Sequence, residues 1–250
     1  LMGIPTAIAE QNAVAGATNR ILGKFVDRVF LTYEASRKDF TAGKVLITGN
    51  PVRAAFAAGL DHERAESGGR NILIFGGSQG AAAINKTMVK TLPYLQKMRE
   101  DLKITHQTGE RDLPLVGDAY RRFGIDAEVH AFITDMPAAY ARADLVICRA
   151  GATSLAEITA AGKPSVLIPY PFAANDHQTK NARVMADAGA AVMIPESELD
   201  AEKLFAVLEG LFSDDAKLRE MGASSARLGR PGAAAEIVDA CRQLAKTNDY

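Results

Sequence analysis

The stretch Ile72-Leu-Ile-Phe-Gly-Gly-Ser-Gln-Gly80 decides the fold. Four consecutive apolar residues fit a strand buried on both faces, and such strands belong to parallel sheets covered by helices on either side. A glycine-rich turn follows, then a segment of helical period over 79–97. Outward from this strand–turn–helix unit the same rhythm recurs. Short β-branched runs lie at 5–9, 29–32, 45–48, 71–75, 102–107, 128–132, 144–148, 165–169 and 190–194. Helical patterns fill 136–142, 153–161, 178–188, 201–212 and 215–228, with Gly162 before Pro164 and with Gly189 as stop signals. The expected class is α/β, a Rossmann-like doubly wound parallel sheet.

A domain boundary is expected near Gly49-Asn50-Pro51. The residues before it are too few to bury a core of their own. The run at 5–9 follows Leu1 almost at once with nothing ahead of it to pair with, so the chain is expected to be a fragment that begins inside a domain. The stretch 62–70, rich in Glu, Arg, Gly and Ser, reads as a surface loop.

The chain has 250 residues, with Lys+Arg 29 against Asp+Glu 30, so it has no excess of cations for a polyanion, and nucleic acid is not an expected partner. No apolar run approaches the roughly 18 to 20 residues of a membrane-spanning helix, and the N-terminus lacks the order of a signal peptide. Two cysteines, Cys148 and Cys241, have no partners at metal-ligand spacing and agree with a reducing, cytoplasmic setting.

Three strand-end loops carry polar residues. In the first, Gly76, Gly77 and Gly80 let backbone N–H groups approach an anion where a helix dipole favours negative charge, so phosphate is the natural ligand. The alternative is a tight βα turn without a ligand. In the second, Arg149-Ala-Gly-Ala-Thr-Ser-Leu-Ala-Glu157, the small residues Gly151 and Ala152 permit close approach, and Thr153 and Ser154 can cap the helix. Glu157, one turn in, can accept from a ribose diol or, alternatively, complete a capping box. In the third, Tyr170-Pro-Phe-Ala-Ala-Asn-Asp-His-Gln178 crowds polar groups at a helix start, suited either to reading sugar hydroxyls or to plain N-capping by Asn175 or Asp176. His106 and His130 read as satisfied core histidines, and no catalytic base is assigned.

Five motifs in order and register carry a resemblance: Gly49-Asn-Pro-Val-Arg53, Gly76-Gly-Ser-Gln-Gly80, Phe132-Ile-Thr-Asp-Met136, Arg149 to Ile158, and Asn175-Asp-His-Gln178 with Asn181-Ala. Together they resemble the MurG family, GT-B-fold transferases that move N-acetylglucosamine from UDP-GlcNAc to lipid I, making lipid II for peptidoglycan. Glu10-Gln-Asn12, with Gly16 and Asn19, is similar to a further family segment, with Ala9 where a histidine is usual. The resemblance implies a remnant of the acceptor-binding domain over 1–48, the donor domain over 49–232, and a helix over 233–250 packing back toward the first. It places Asn12 and Arg53 at the interdomain cleft, Ser78 near the diphosphate and Ile133 against uracil through its backbone. Ala152, Thr153, Ser154, Leu155, Ala156 and Glu157 would hold phosphate and ribose, and Gln178 would read the hexosamine. It implies inverting chemistry with neither metal nor cofactor, and peripheral contact with the cytoplasmic face of the bacterial inner membrane. The chain alone is then expected to bind the donor without turnover, the alternative being the donor half of a split transferase with a separate partner subunit.

Overall fold

A computed structural model describes residues 4–57, 70–77 and 80–246. Two parallel sheets share the chain. The first holds β1 (Ala7–Glu10), β2 (Arg28–Leu31) and β3 (Val45–Ile47), in that order, with α1 (Ala17–Leu22) crossing from β1 to β2. Its small core gathers Val26, Val29 and Leu31. After β3 the chain leaves the first sheet through Gly49, whose φ of +85° a side chain would resist, and α2 (Ala54–Ala57) follows.

The second sheet has six strands: β4 (Arg70–Phe75), β5 (Leu102–Gln107), β6 (Asp126–His130), β7 (Leu145–Cys148), β8 (Ser165–Leu167) and β9 (Ala191–Met193). Their order is β6-β5-β4-β7-β8-β9, all parallel. Counted within this sheet that is 3-2-1-4-5-6, the doubly wound arrangement, whose order reverses between β4 and β7. Side chains alternate across a strand. Ile72 and Ile74 therefore enter one core, with α3 (Ala82–Leu95), α4 (Leu113–Phe123), α8 (Ala201–Phe212) and α9 (Asp215–Leu228). Leu73 and Phe75 enter the other, with α5 (Met136–Arg142), α6 (Ala152–Ala160) and α7 (His177–Asp187).

The expected strands all form, each within two residues of its expected ends. The helix expected over 79–97 begins instead at Ala82, because Gly80 is left-handed and Ala81 is extended. Helix α4 was not expected: Pro114 at its first turn and Gly117 inside it blur the periodicity, and Gly124 at φ +63° closes it. Asp135, Asp200 and Asp214 cap α5, α8 and α9, each accepting from the backbone N–H three residues on. The loop expected over 62–70 lies outside the described residues except for Arg70. Helix α10 (Ala233–Lys246) begins beside Gly49, where an added Cβ would stand 3.6 Å from that of Ala233.

Candidate active site

The crevice at the β4–β7 switch is lined by the loops that leave the carboxyl ends of those strands. In the first loop two glycines are set by packing. A Cβ on Gly76 would lie 2.2 Å from that of Ala81, and one on Gly80, at φ +74°, would lie 2.0 Å from the carbonyl oxygen of Thr108. Gly77, at φ +99°, has no atom of the described residues within 4 Å of an added Cβ, so among those residues nothing fills the space over it. Ser78, expected near a diphosphate, lies outside the described residues.

Gln107 ties this loop to the next, a role sequence reasoning missed. Its side chain donates to the carbonyl of Gly77 at 2.8 Å and accepts from the N–H of Ile133 at 2.8 Å. An amide side chain at the carboxyl end of β5, at a position that turns out to be buried, was the available signal. With the Ile133 N–H engaged, a backbone contact to a base there falls to its carbonyl.

The second loop opens α6 at Gly151, whose backbone is extended and which has no side-chain cap. Neither Thr153 nor Ser154 caps the helix, which corrects that expectation, so the N-terminal amides at Ala152 to Ser154 face the crevice without a hydroxyl partner. Leu155 does not reach the crevice as expected. Its side chain is buried in the core, and its N–H donates to Gly151 O at 3.0 Å. Ala156 is half-buried behind the first turn. Glu157 forms no capping box. It accepts from the Nη2 of Arg53 at 3.0 Å, with its own side chain 11% exposed and that of Arg53 51%. Burial raises the Glu157 carboxyl above the usual carboxylate range, and Arg53 opposes that rise. Arg53 also lies over the ring of Phe56, 5.4 Å from its centroid.

The third loop is braced by Arg149, which donates to the carbonyls of Ile168 and Pro169 at 3.2 Å, pairs with Glu196 and lies over the Tyr170 ring. Gln178 accepts from the N–H of Tyr170 at 2.9 Å, so its carbonyl holds the loop while its amide N–H groups stay available to a ligand. Asn175 and Asp176 both have positive φ, 53° and 55°. Asp176 stands at the N-cap of α7 without capping it through its side chain, so plain capping does not account for the pair. Two such residues in succession hold roughly 1 to 3 kcal/mol of strain each, a cost usually met at functional loops.

Asn12 stands where the two sheets meet, but its side chain is already engaged. Asn181, fully buried on α7, donates to Asn12 Oδ1 at 3.1 Å and accepts from the N–H of Ala13 at 2.8 Å. Glu10, also buried, accepts from the N–H groups of Asn12 and Gly16 at 2.9 Å and from Asn19. These contacts fix the first domain against the start of α7.

His106 is the satisfied core histidine expected. Asn85 uses its amide N–H groups on Thr108 O and Asp112, so its oxygen accepts from the Nε2–H of His106 at 3.1 Å, and Nδ1 accepts from Tyr120 at 2.9 Å. Burial lowers its pKa to about 3. His130 corrects its expectation. It lies on edge strand β6 with its side chain 45% exposed, facing Glu128 at 3.8 Å. A concavity of about 670 Å³ lies elsewhere, at the amino ends of β4 and β7. Of its cations, Arg70 donates to Phe212 O and Lys163 to Ala141 O, both at helix C-termini, while Arg142 pairs with Glu128. It lies away from the carboxyl strand ends where open α/β sheets bind ligands.

The model of the glycosyltransferase family 28 C-terminal domain matches residues 71–237. A relative from Syntrophus aciditrophicus, named UDP-N-acetylglucosamine–N-acetylmuramyl-(pentapeptide) pyrophosphoryl-undecaprenol N-acetylglucosamine transferase, is 52% identical over 98% of this chain and 68% of its own. The crystal structure of Acinetobacter baumannii MurG superposes with a TM-score of 0.82 at 34% identity, over 97% of this chain and 68% of that one. The chain belongs to the MurG family. A further MurG-family relative, from Anaeromyxobacter sp. strain K, carries the same name and is 46% identical over 98% of this chain and 64% of its own, so the chain spans about two thirds of these relatives. Its second sheet is that of the family's C-terminal domain, in a GT-B fold. A UDP-GlcNAc 2-epimerase from Neisseria meningitidis, 13% identical with a TM-score of 0.67, shares that fold alone.

Proposed function

We propose that the chain binds UDP-GlcNAc in the switch-point crevice and serves the transfer of its N-acetylglucosamine to lipid I, forming lipid II for peptidoglycan. The observation that carries the reading is the uncapped N-terminus of α6 beside the Gly77 turn, with Glu157 one turn further in. Backbone N–H groups at that helix end suit a diphosphate. The buried carboxylate suits vicinal hydroxyls, and the Gln178 amide suits the sugar.

In an inverting displacement the acceptor hydroxyl attacks the anomeric carbon. The new C1–O bond forms as the bond to the diphosphate oxygen breaks, the hydroxyl proton passes to a base, and UDP leaves with its added charge met by the α6 amides. Loop rigidity, from Arg149 and from Gln178 on Tyr170, holds the sugar for in-line attack.

Peripheral contact with the cytoplasmic face of the inner membrane fits α1, which buries none of its residues. Ile21, Leu22 and Phe25 are 59%, 42% and 77% exposed beside Arg20 and Lys24, the apolar-and-basic mixture of an interfacial surface. The test is incubation with UDP-GlcNAc labelled in the sugar and with lipid I. From this chain alone, retention of the labelled donor without lipid II is expected. Conversion to the 2-epimer, or release of free sugar with no lipid II, would overturn the reading.

A further inference from the structure

Tyr140 on α5 is fully buried, and its hydroxyl has no hydrogen-bond partner. A buried hydroxyl left without a partner is a cost to the fold, and a phenylalanine at this position would avoid it. The surroundings suggest why the hydroxyl is there. The Tyr140 ring meets Phe56 edge-on at 5.2 Å and Phe75 at 6.0 Å. Arg53 lies over the Phe56 ring, and Arg53 holds Glu157. Burial keeps the hydroxyl protonated, hence a donor, and the Glu157 carboxylate reinforces that while Arg53 opposes it.

One strong hydrogen bond, from a half-exposed arginine, holds the Glu157 carboxylate in this structure. A ribose diol that takes up Glu157 oxygens competes with Arg53 for them. A carboxylate drawn from its pair inside a buried crevice needs another donor to stay ionised and oriented.

We infer that Tyr140 is a positioning residue for Glu157: when donor ribose engages the carboxylate and loosens its pair with Arg53, the Tyr140 hydroxyl donates to the freed oxygen and holds Glu157 beneath the diol. The inference rests on the ribose role of Glu157 proposed above. The hydroxyl is then unpaired in the free protein because its partner arrives with the ligand.

Tyr140→Phe keeps the ring and removes the hydroxyl. Calorimetric titration of wild type and variant with UDP and with 2′,3′-dideoxy-UDP separates the roles. Wild type is expected to prefer UDP. The variant should bind UDP roughly tenfold more weakly, the size of one hydrogen bond to a charged group, and bind the dideoxy compound within twofold of wild type. Its thermal midpoint should be unchanged or raised, since an unsatisfied hydroxyl has gone. If wild type prefers UDP and the variant keeps the same preference, the Tyr140 role is wrong while the Glu157 reading stands. If wild type shows no preference, the ribose reading of Glu157 fails and this inference with it. A variant that unfolds would also overturn the inference, by showing that the hydroxyl serves the free protein.

Discussion

Replacing Glu157 by Gln should move stability and donor affinity in opposite directions. In the free protein the carboxylate is almost wholly buried while its partner Arg53 is half exposed. A pair so open to water on one side contributes at most about 1 kcal/mol. Burial of the carboxylate works against that contribution, as its raised pKa shows. Glu157→Gln keeps the shape and an acceptor for Arg53 and removes the charge, so stability should change by less than about 1 kcal/mol, toward stabilisation. Donor binding should suffer. A hydrogen bond to an ionised acceptor contributes about 1.5 to 3 kcal/mol, and the amide retains part of it. A loss of about 1 to 2 kcal/mol remains, roughly a 5- to 30-fold rise in Kd for UDP. The sign with pH follows. The ionised form is the one that accepts from the diol, so affinity falls as pH falls, with a midpoint above the ordinary glutamate value of about 4.3, and the Gln variant lacks that dependence. Calorimetry with UDP from pH 7.5 to 5, alongside urea denaturation, measures both. Unchanged affinity, or a stability loss above about 2 kcal/mol, would refute the reasoning and make Glu157 a structural residue.

Gly80→Ala forces a side chain into a left-handed position and against Thr108 O, so urea denaturation should show a loss of about 2 to 4 kcal/mol. Gly77→Ala meets no atom of the described residues and should cost about 1 to 2 kcal/mol; equal losses at the two sites would contradict this contrast between them. His106 has a pKa of about 3 in the fold, below its ordinary 6.5, so the unfolded chain takes up a proton that the folded chain refuses. Stability is fully present above pH 6.5 and is lost toward pH 3 by up to about 1.4 kcal/mol per unit; His106→Gln should show a shallower slope between pH 6 and 4.5, and an equal slope would place the proton elsewhere. Gln178→Ala should reduce the preference for UDP-GlcNAc over UDP-GalNAc while changing affinity for UDP itself less than twofold, because the proposed donor site puts the amide at the sugar; a competition assay that finds the preference intact would move sugar reading to Asn175 or Asp176.

The sheet was legible because β4, β7 and β8 are apolar on both faces, a pattern few other environments accept. Glu157 and the α6 turn were legible because small residues after a buried strand leave room for little except a ligand or a cap. The cap was then excluded by the backbone, since the helix begins at Gly151 and leaves Thr153 and Ser154 inside the first turn. What escaped reading depends on contacts distant in sequence. Gln107 and Asn181 act through partners 26 to 30 and 168 to 169 residues away, which no local period records. His130 was misjudged because its strand proved to be an edge, a property of strand order rather than of composition. The left-handed backbone at Asn175 and Asp176 leaves only a weak trace, since Asn and Asp tolerate that region but do not demand it.

The central claim, that the donor sits at the β4–β7 switch, is tested most directly by following backbone amide NMR signals during titration with UDP-GlcNAc. Shifts gathered at Gly77, Gly80, Ile133, Ala152 to Ser154 and Tyr170 are expected, saturating together with a single affinity. Shifts confined to the opposite end of the sheet, around Arg70, Lys163 and Arg219, or none at saturating ligand, would contradict it.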